Sequence, residues 1–419
     1  MSTVTSTAPR SAPAASAGSP GVGEHVRNYL SRLRGGDLGA LPAILGLVVL
    51  CTVFSIVRPS FFTAGNFANL FIQGAAVTLI AMGLVFVLLL GEIDLSAGFA
   101  SGVCAAILAV LSTEMGLPWY VAVAAAVATG TVIGTVLGFL VAKVGIPSFV
   151  VTLAAFLAFQ GLVLLLIHGG TNISIRDSVL IAIVNRNVPP LIGWAMFGVG
   201  IAGFALVQLL RYRKRAKKGL VSDPLPVVFA RIVMLAGVTG SAVYILNLER
   251  SVNPLITSLR GVPIVVPVIV VLLIFWTFVL HRTAYGRHIY AVGGNREAAR
   301  RAGITVDRIR ISAFMICSSM AAVGGIVAAS RGNSVDANTG GSNVLLFAVG
   351  AAVIGGTSLF GGKGRVLDAV LGGAVVAVIE NGMGLLNASS GVKFLFTGLV
   401  LLLAASVDAL SRRRAAQAR

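Results

Sequence analysis

Apolar runs of about twenty residues recur along almost the whole chain, parted by short polar stretches. Crossing about 30 Å of hydrocarbon at about 1.5 Å of rise per residue takes roughly 20 apolar residues. Runs of that kind lie near 40–57, 67–90, 97–113, 119–141, 148–167, 190–210, 225–247, 262–280, 311–330, 343–360, 366–386 and 392–410. The pattern predicts an all-α polytopic membrane protein of 10–12 transmembrane helices, with twelve as the central count. The run at 343–360 is the weakest, being Gly-rich and interrupted by Gly355-Gly356. Pro and Gly inside several runs predict broken or re-entrant helices. Gly130, Gly134 and Gly138 fall on one helical face, where small residues let a neighbouring backbone come close.

Composition agrees with that reading. Only 11% of the 419 residues are charged and 57% are hydrophobic, with a mean hydropathy of +0.96, whereas a soluble domain carries about 25% charged residues. The net charge of +18 does not point to nucleic acid, because the basic residues sit in a few inter-span loops and the two tails. With the N-terminus in the cytoplasm, twelve spans put Lys143, the run Arg211–Lys218, the 281–310 loop, Lys363 with Arg365, and Arg412–Arg414 all on the inner side. The opposite loops hold only Arg58, Arg176, Arg186, Arg250, Arg260 and Arg331. The positive-inside rule therefore predicts an even number of spans and two cytoplasmic termini. Residues 1–36 are expected to be a disordered cytosolic tail, 37–411 the transmembrane domain, and 412–419 a basic cytosolic tail. Cys51, Cys104 and Cys317 are scattered through apolar runs, which reads as small buried hydrophobes rather than a disulfide framework or zinc site.

Ionisable residues inside a membrane domain are costly and often functional. The first group is Gly91-Glu92-Ile93-Asp94-Leu95-Ser96-Ala97-Gly98, between two apolar runs. Asp94 or Ser96 is placed to cap the following helix; the alternative is that Glu92, Asp94 and Ser96 line a translocation path. Glu380, followed by Asn381, lies well inside its run and joins them as a path candidate, while Asp368, near a run end, reads as capping or solvated and Arg231 as snorkelling. Gly355-Gly-Thr-Ser-Leu-Phe-Gly-Gly-Lys-Gly-Arg365 does not meet the spacing of a phosphate-binding loop, since Thr357 stands at the first glycine position and Gly364 at the hydroxyl position. It reads as a flexible basic turn. The four histidines form no metal or catalytic cluster, so no metal or catalytic residue is assigned. On the residues alone, a proton-coupled secondary transporter using Glu92, Asp94 or Glu380 stays open.

The stretch His281–Arg310 is unlike the rest. Its thirty residues hold seven Arg and the carboxylates Glu297 and Asp307. Gly293-Gly294 is expected to break the chain, Asn295 to cap a helix carrying Glu297, Ala298 and Ala299, and Gly303 to end it. A short capped helix on the cytoplasmic surface has no obvious purpose in a self-contained transporter. It suits a membrane subunit driven by a soluble partner.

The run Tyr285–Ile304 resembles the cytoplasmic coupling loop of monosaccharide ABC-transporter permeases, the ribose, xylose, arabinose and galactose group. Gly91–Gly98, Gly145-Ile-Pro-Ser-Phe-Val-Val-Thr-Leu153 and Gly355–Gly364 are similar to further signatures of that family. The resemblance implies a multi-pass permease subunit of a bacterial cell-membrane importer that is not itself an enzyme and binds no cofactor. ATP would be hydrolysed on a partner ATPase. It also implies a periplasmic or lipid-anchored substrate-binding protein, a second permease copy, and a monosaccharide as cargo. Asn295, Glu297, Ala298, Ala299 and Gly303 match the helix that contacts the ATPase. Extra spans flanking the basic 211–218 run make the chain more like the xylose permeases, so D-xylose is the expected sugar.

Overall fold

A computed structural model of the chain describes residues 39–218, 224–254 and 258–417, together with Gly23, Arg27 and Ile256. All but Gly23 and Arg27 of the expected tail at 1–36 lies outside the described residues, as do the side chains of Arg412–Arg414. The architecture is helical, with four two-residue strands in two antiparallel pairs. Nine helices among the described residues are long and apolar enough to cross a membrane. Three shorter apolar helices, Leu41–Val57, Asn343–Ile354 and Ser390–Val400, fall on the three remaining runs of the predicted twelve.

The larger compact unit comprises residues 36–193 and 243–419. It opens with α1 (Leu41–Val57), α2 (Ala64–Leu89), α3 (Ala97–Ala109, prolonged by a π-helical turn to Glu114), α4 (Trp119–Phe139) and α5 (Ser148–Leu166). There follow β1 (Ile173–Ser174), α6 (Ser178–Asn185) and β2 (Asn187–Val188), then the helices α7 (Pro190–Lys217) and α8 (Leu225–Asn247). After β3 (Val262–Pro263) come α9 (Val265–Arg282), α10 (Ala284–Gly294), α11 (Arg296–Arg301) and α12 (Val306–Gly332). The chain closes with β4 (Ser334–Val335), α13 (Ser342–Ile354), α14 (Val366–Leu385) and α15 (Ser390–Gln417). Most of α7 and α8, residues 194–242, belongs to a second, smaller unit. Within it the Phe197 ring lies against Gly240, where a side chain would meet it at 3.2 Å.

Burial sorts the helices of the larger unit into centre and rim. The most apolar window of α2 is 78% buried and that of α9 only 11%. In lipid an apolar exposed face needs no protein cover, so the exposed Val270, Ile274, Phe275 and Phe278 of α9 form a surface suited to hydrocarbon. At the centre, packing is close because glycine permits it. A Cβ on Gly130, Gly134 or Gly138 of α4 would lie 2.5 Å from Ser318 O, 2.3 Å from Phe314 O and 2.7 Å from Ile311 Cα respectively, so α4 runs antiparallel along α12 in backbone contact. The small-residue face read from the sequence is the α4–α12 seam.

Helix directions are mutually consistent. The arginine-rich end of the larger unit holds the C-terminus of α2 and the N-termini of α12 and α14. The opposite end holds Asn66 of α2, Arg331 of α12 and Asn381 of α14, where Asn66 and Asn381 exchange amide hydrogen bonds at 2.8 and 2.9 Å. Two crossings are interrupted. After α2 the chain turns back and climbs α12 as a non-helical segment: Glu92 meets Arg310, Asp94 meets Cys317, and Ser101 O lies where a side chain on Gly325 would be. Likewise the turn ahead of α13 dips against α3, with Gly340 beside Gly98 and Thr339 beside Gly102. Non-helical backbone at such depth needs protein around it, and here α12 backs the first interruption and α3 the second. The 13-residue α13 explains why 343–360 reads weakly as a span.

Candidate functional site

The segment expected to be one short helix in a loop is two helices. Thr283 Oγ1 accepts the Gly286 N–H and starts α10, whose buried residues Gly286, Ile289 and Val292 recur every three positions and turn one face inward. Gly293-Gly294 does not break this segment; both residues are the last turn of α10. The glycine is needed for approach rather than for flexibility, because a Cβ on Gly293 would lie 1.8 Å from Leu89 O. Asn295 then caps α11 as expected, its Oδ1 accepting the Ala298 N–H at 2.9 Å, and Gly303 with φ of +83° ends the turn. Glu297 is exposed and, among the described residues, pairs only with Arg300, at 3.3 Å. Asn295, Ala298 and Gly303 are exposed too, whereas Ala299 is 4% exposed and packs into the core. Sequence spacing placed Ala299 beside Ala298 without saying which one faces outward.

Glu92 is the centre of this end. Its side chain is 7% exposed, and its Oε1 accepts from Arg310 Nη2 and from Arg296 Nη2, each at 2.6 Å. Arg310 Nε adds a third bond at 3.0 Å, and Arg296 Nη2 also reaches Leu90 O at 3.2 Å. A buried carboxylate is tolerated when charged partners and hydrogen bonds surround it. Glu92 thereby links the end of α2, the first residue of α11 and the start of α12. Arg296 and Arg310 were not singled out from the sequence. The available signal was Arg310 itself, a charge inside Ile309-Arg-Ile311 at the mouth of an apolar run, which must find a partner.

All four signature stretches meet here. The backbone of Ile93 faces Ser148 Oγ and Thr152 Oγ1 of the 145–153 stretch, at 3.5 and 3.4 Å. Gly362 of the 355–364 stretch donates its N–H to Leu89 O at 2.8 Å, and Tyr290 of α10 donates its hydroxyl to Gly364 O at 2.6 Å. Burial first, then the nearby Asp368 charge, pushes the Tyr290 phenol up to about 12, so it remains a donor at any physiological pH. Burial does the same to Tyr285, also about 12, which accepts from Ser312 Oγ at 3.1 Å. Gly355–Arg365 is thus no flexible turn. Ser358 N–H closes on Lys363 O at 2.8 Å, and at the start of α14 the buried Asp368 carboxylate accepts the Arg365 N–H at 2.8 Å and its guanidinium at 2.9 Å. Lys143 pairs with Asp307 at 2.9 Å, which ties the end of α4 to α12 at the same level.

The four path candidates do not come together. Glu92 is committed to its two guanidinium partners. Asp94 and Ser96 are fully buried two turns further along α12; Asp94 Oδ1 accepts the Ser96 N–H at 2.9 Å and its hydroxyl at 2.6 Å. Ser96 is the N-cap residue of α3 yet accepts no helix amide: its backbone is already helical, at φ −86° and ψ −16°, and its hydroxyl donates to Asp94. Asp94 Oδ2 makes no close hydrogen bond among the described residues, and the Cys317 thiol and the Ala97 N–H are the donors nearest the carboxylate beyond Ser96. Glu380 lies at the opposite end, on the wall of a 630 Å³ cavity. Among the described residues no cluster of His, Cys, Asp and Glu could hold a metal ion.

Comparison with known proteins identifies the family. The chain is similar to a xylose transport system permease protein of Haemophilus influenzae, 31% identical over 91% of this chain and 99% of that one. Its counterpart in Escherichia coli strain K12 is 34% identical over 85% of this chain and 87% of that one. A ribose import permease protein of the same strain is 30% identical over 87% and 92%. No solved structure matches. The family model described as branched-chain amino acid transport system / permease component matches residues 66–405, a range that contains all four converging stretches. The chain therefore belongs to that family, as a multi-pass membrane permease component of an ABC importer that leaves ATP hydrolysis to a partner.

Proposed function

We propose that this chain carries a monosaccharide, D-xylose first, across the membrane and that α10 and α11 are where its ATPase pushes. The observation that carries the reading is the three-way grip on Glu92. Through it, force applied to α11 reaches α2 and α12, two of the central helices, without passing through a flexible loop. Asn295, Glu297, Ala298 and Gly303 form the outward surface offered to the ATPase, with Ala299 as the inward anchor. The xylose and ribose relatives support the cargo class.

The arginine-rich end is then cytoplasmic, and twelve spans with both termini inside follow from the positive-inside rule. A second permease copy would complete the pathway, and a periplasmic or lipid-anchored binding protein would deliver the sugar to the opposite end. Of the four path candidates we keep Glu380, because it lines the 630 Å³ cavity. We assign Glu92 to coupling, and Asp94 with Ser96 to holding the non-helical segment.

Uptake of labelled D-xylose into proteoliposomes holding the permease, ATPase and binding protein tests this reading. It should require ATP and survive a protonophore; uptake that is abolished by the protonophore and needs no ATPase would overturn it. Glu297→Lys should lower co-purification of the ATPase about tenfold, the loss of one charged contact worth about 1.4 kcal/mol, and unchanged co-purification would remove α11 from the interface.

A further inference from the structure

The cavity at the end opposite Glu92 has features that packing does not require. Its volume of 630 Å³ falls within the range of small-molecule sites, about 300–1,000 Å³. Six helices of the larger unit wall it: α2, α3, α12, α13, α14 and α15. Polar groups converge there, among them Gln73, Arg331, Asn343, Glu380, Lys393 and Thr397, while the rings of Phe347 and Phe394 supply apolar surface.

Several of these groups have no internal use. Among the described residues the Glu380 carboxylate makes no hydrogen bond or ion pair, although Arg331 and Lys393 stand near enough to act on it through their charges. Its neighbour Asn381 is the opposite case, fully engaged with Asn66 and with Gln73 Oε1 at 3.2 Å. That bond fixes the Gln73 amide with its oxygen toward Asn381, which leaves the two N–H donors for the cavity. The side chains of Asn343, Lys393 and Thr397 likewise form no hydrogen bond among the described residues. A carboxylate in a membrane-crossing helix, facing a cavity without a partner, calls for one from outside.

We infer that this cavity is a binding subsite for a neutral polyhydroxylated solute, with the Glu380 carboxylate as its principal hydrogen-bond acceptor. This rests on the monosaccharide reading above. A sugar presents hydroxyls that donate and accept along one edge and C–H surface on its faces. The wall matches both: Glu380 accepts through charge-assisted bonds, Lys393 and the Gln73 amide donate, Asn343 and Thr397 do either, and Phe347 and Phe394 meet the faces. An anionic solute would face Glu380 at close range. A zwitterion could instead use Glu380 for its ammonium and Lys393 or Arg331 for its carboxylate, so an amino acid is the competing ligand.

Saturation-transfer NMR on the permease–ATPase complex in lipid nanodiscs, with D-xylose, D-ribose and L-leucine as probes, decides the matter alongside uptake in proteoliposomes. Wild type should show transfer to a sugar and not to leucine. Glu380→Gln should weaken that binding and lower uptake at least tenfold, with partial recovery in Glu380→Asp, while the ATPase still co-purifies. Asn343→Ala and Thr397→Val, on the facing helices, should each weaken binding several-fold, and they keep the test open should Glu380→Gln not assemble. Wild-type uptake of sugar with Glu380→Gln, Asn343→Ala and Thr397→Val all unaffected would overturn the subsite and spare the proposed function. Transfer to leucine in place of sugar would overturn the ligand class. Failure of the wild-type complex to import any monosaccharide would sink the function and the subsite together.

Discussion

Glu92 and Arg310 are 218 positions apart, yet the Arg310 guanidinium makes two hydrogen bonds to one oxygen of Glu92, at 2.6 and 3.0 Å. The Arg310 side chain is 15% exposed and that of Glu92 7%, so neither charge can turn to solvent if the other is lost. Breaking a buried pair from one side costs about 3–5 kcal/mol. Arg296, 41% exposed, softens the loss because its own charge is partly hydrated. Glu92→Ala should therefore destabilise the permease by about 3 kcal/mol in a detergent melt and abolish ATP-driven uptake. Glu92→Gln, which keeps one acceptor, should melt nearer to wild type yet still couple poorly. A wild-type uptake rate in Glu92→Ala would show that force reaches the bundle by another route.

The α4–α12 seam offers a test of packing. An alanine Cβ at Gly134 would sit 2.3 Å from Phe314 O and 2.6 Å from Met315 Cα, so the helices must separate. Gly134→Ala should destabilise by about 1–3 kcal/mol, the cost of overpacking, and Gly134→Leu by more. Gly161 of α5 is the control, since nothing lies within 4 Å of its added Cβ. Gly161→Ala should be neutral or stabilise by up to ~1 kcal/mol through helix propensity. Equal melting temperatures for the two alanine variants would mean that α4 and α12 are not in contact.

The loop after α8 should respond to acid. Glu249 Oε1 accepts the N–H groups of Leu259, Ser251 and Arg250, each at 3.0 Å, while its Oε2 takes the Ser258 hydroxyl at 2.7 Å and Arg260 Nε at 3.0 Å. These bonds, the Leu259 N–H first, hold the carboxyl down to about 2, from an ordinary value near 4.5. A depressed folded value means that the tie is fully present above about pH 4.5 and is lost as pH falls toward about 2. Amide exchange or limited proteolysis of residues 249–261 should accelerate over that window. In Glu249→Gln the same loop should exchange faster at neutral pH, with no acid transition. A transition that survives in the glutamine variant would assign it to another group.

Much of this protein was legible before any coordinates. Nine of the twelve apolar runs are helices long and apolar enough to cross a membrane and the other three carry shorter apolar helices among the described residues, and Asn295 and Gly303 bound α11 as their residue types predict. Lys143, the 281–310 stretch and Arg365 do gather at one end of the larger unit. The misreadings share one cause. Gly293-Gly294 and Gly355–Arg365 read as a break and a flexible turn, because glycine in a sequence signals freedom. Here glycine serves proximity: Gly293 lies on Leu89 O, and Gly362 donates to it.

By itself the sequence determined the solvent, an expected direction for each crossing and the two ends of α11. Those depend on hydropathy, charge asymmetry and capping, all properties of neighbours in the chain. Only the tertiary structure decided which polar residues work together. Glu92, Asp94 and Ser96 are adjacent in sequence and read as one group with Glu380. The fold instead hands Glu92 to two arginines more than two hundred positions away, locks Asp94 onto Ser96, and leaves Glu380 alone at the far end. A charge buried in a bundle must be satisfied by whatever packs against it, and what packs against it is set by helix directions and glycine contacts, not by sequence distance.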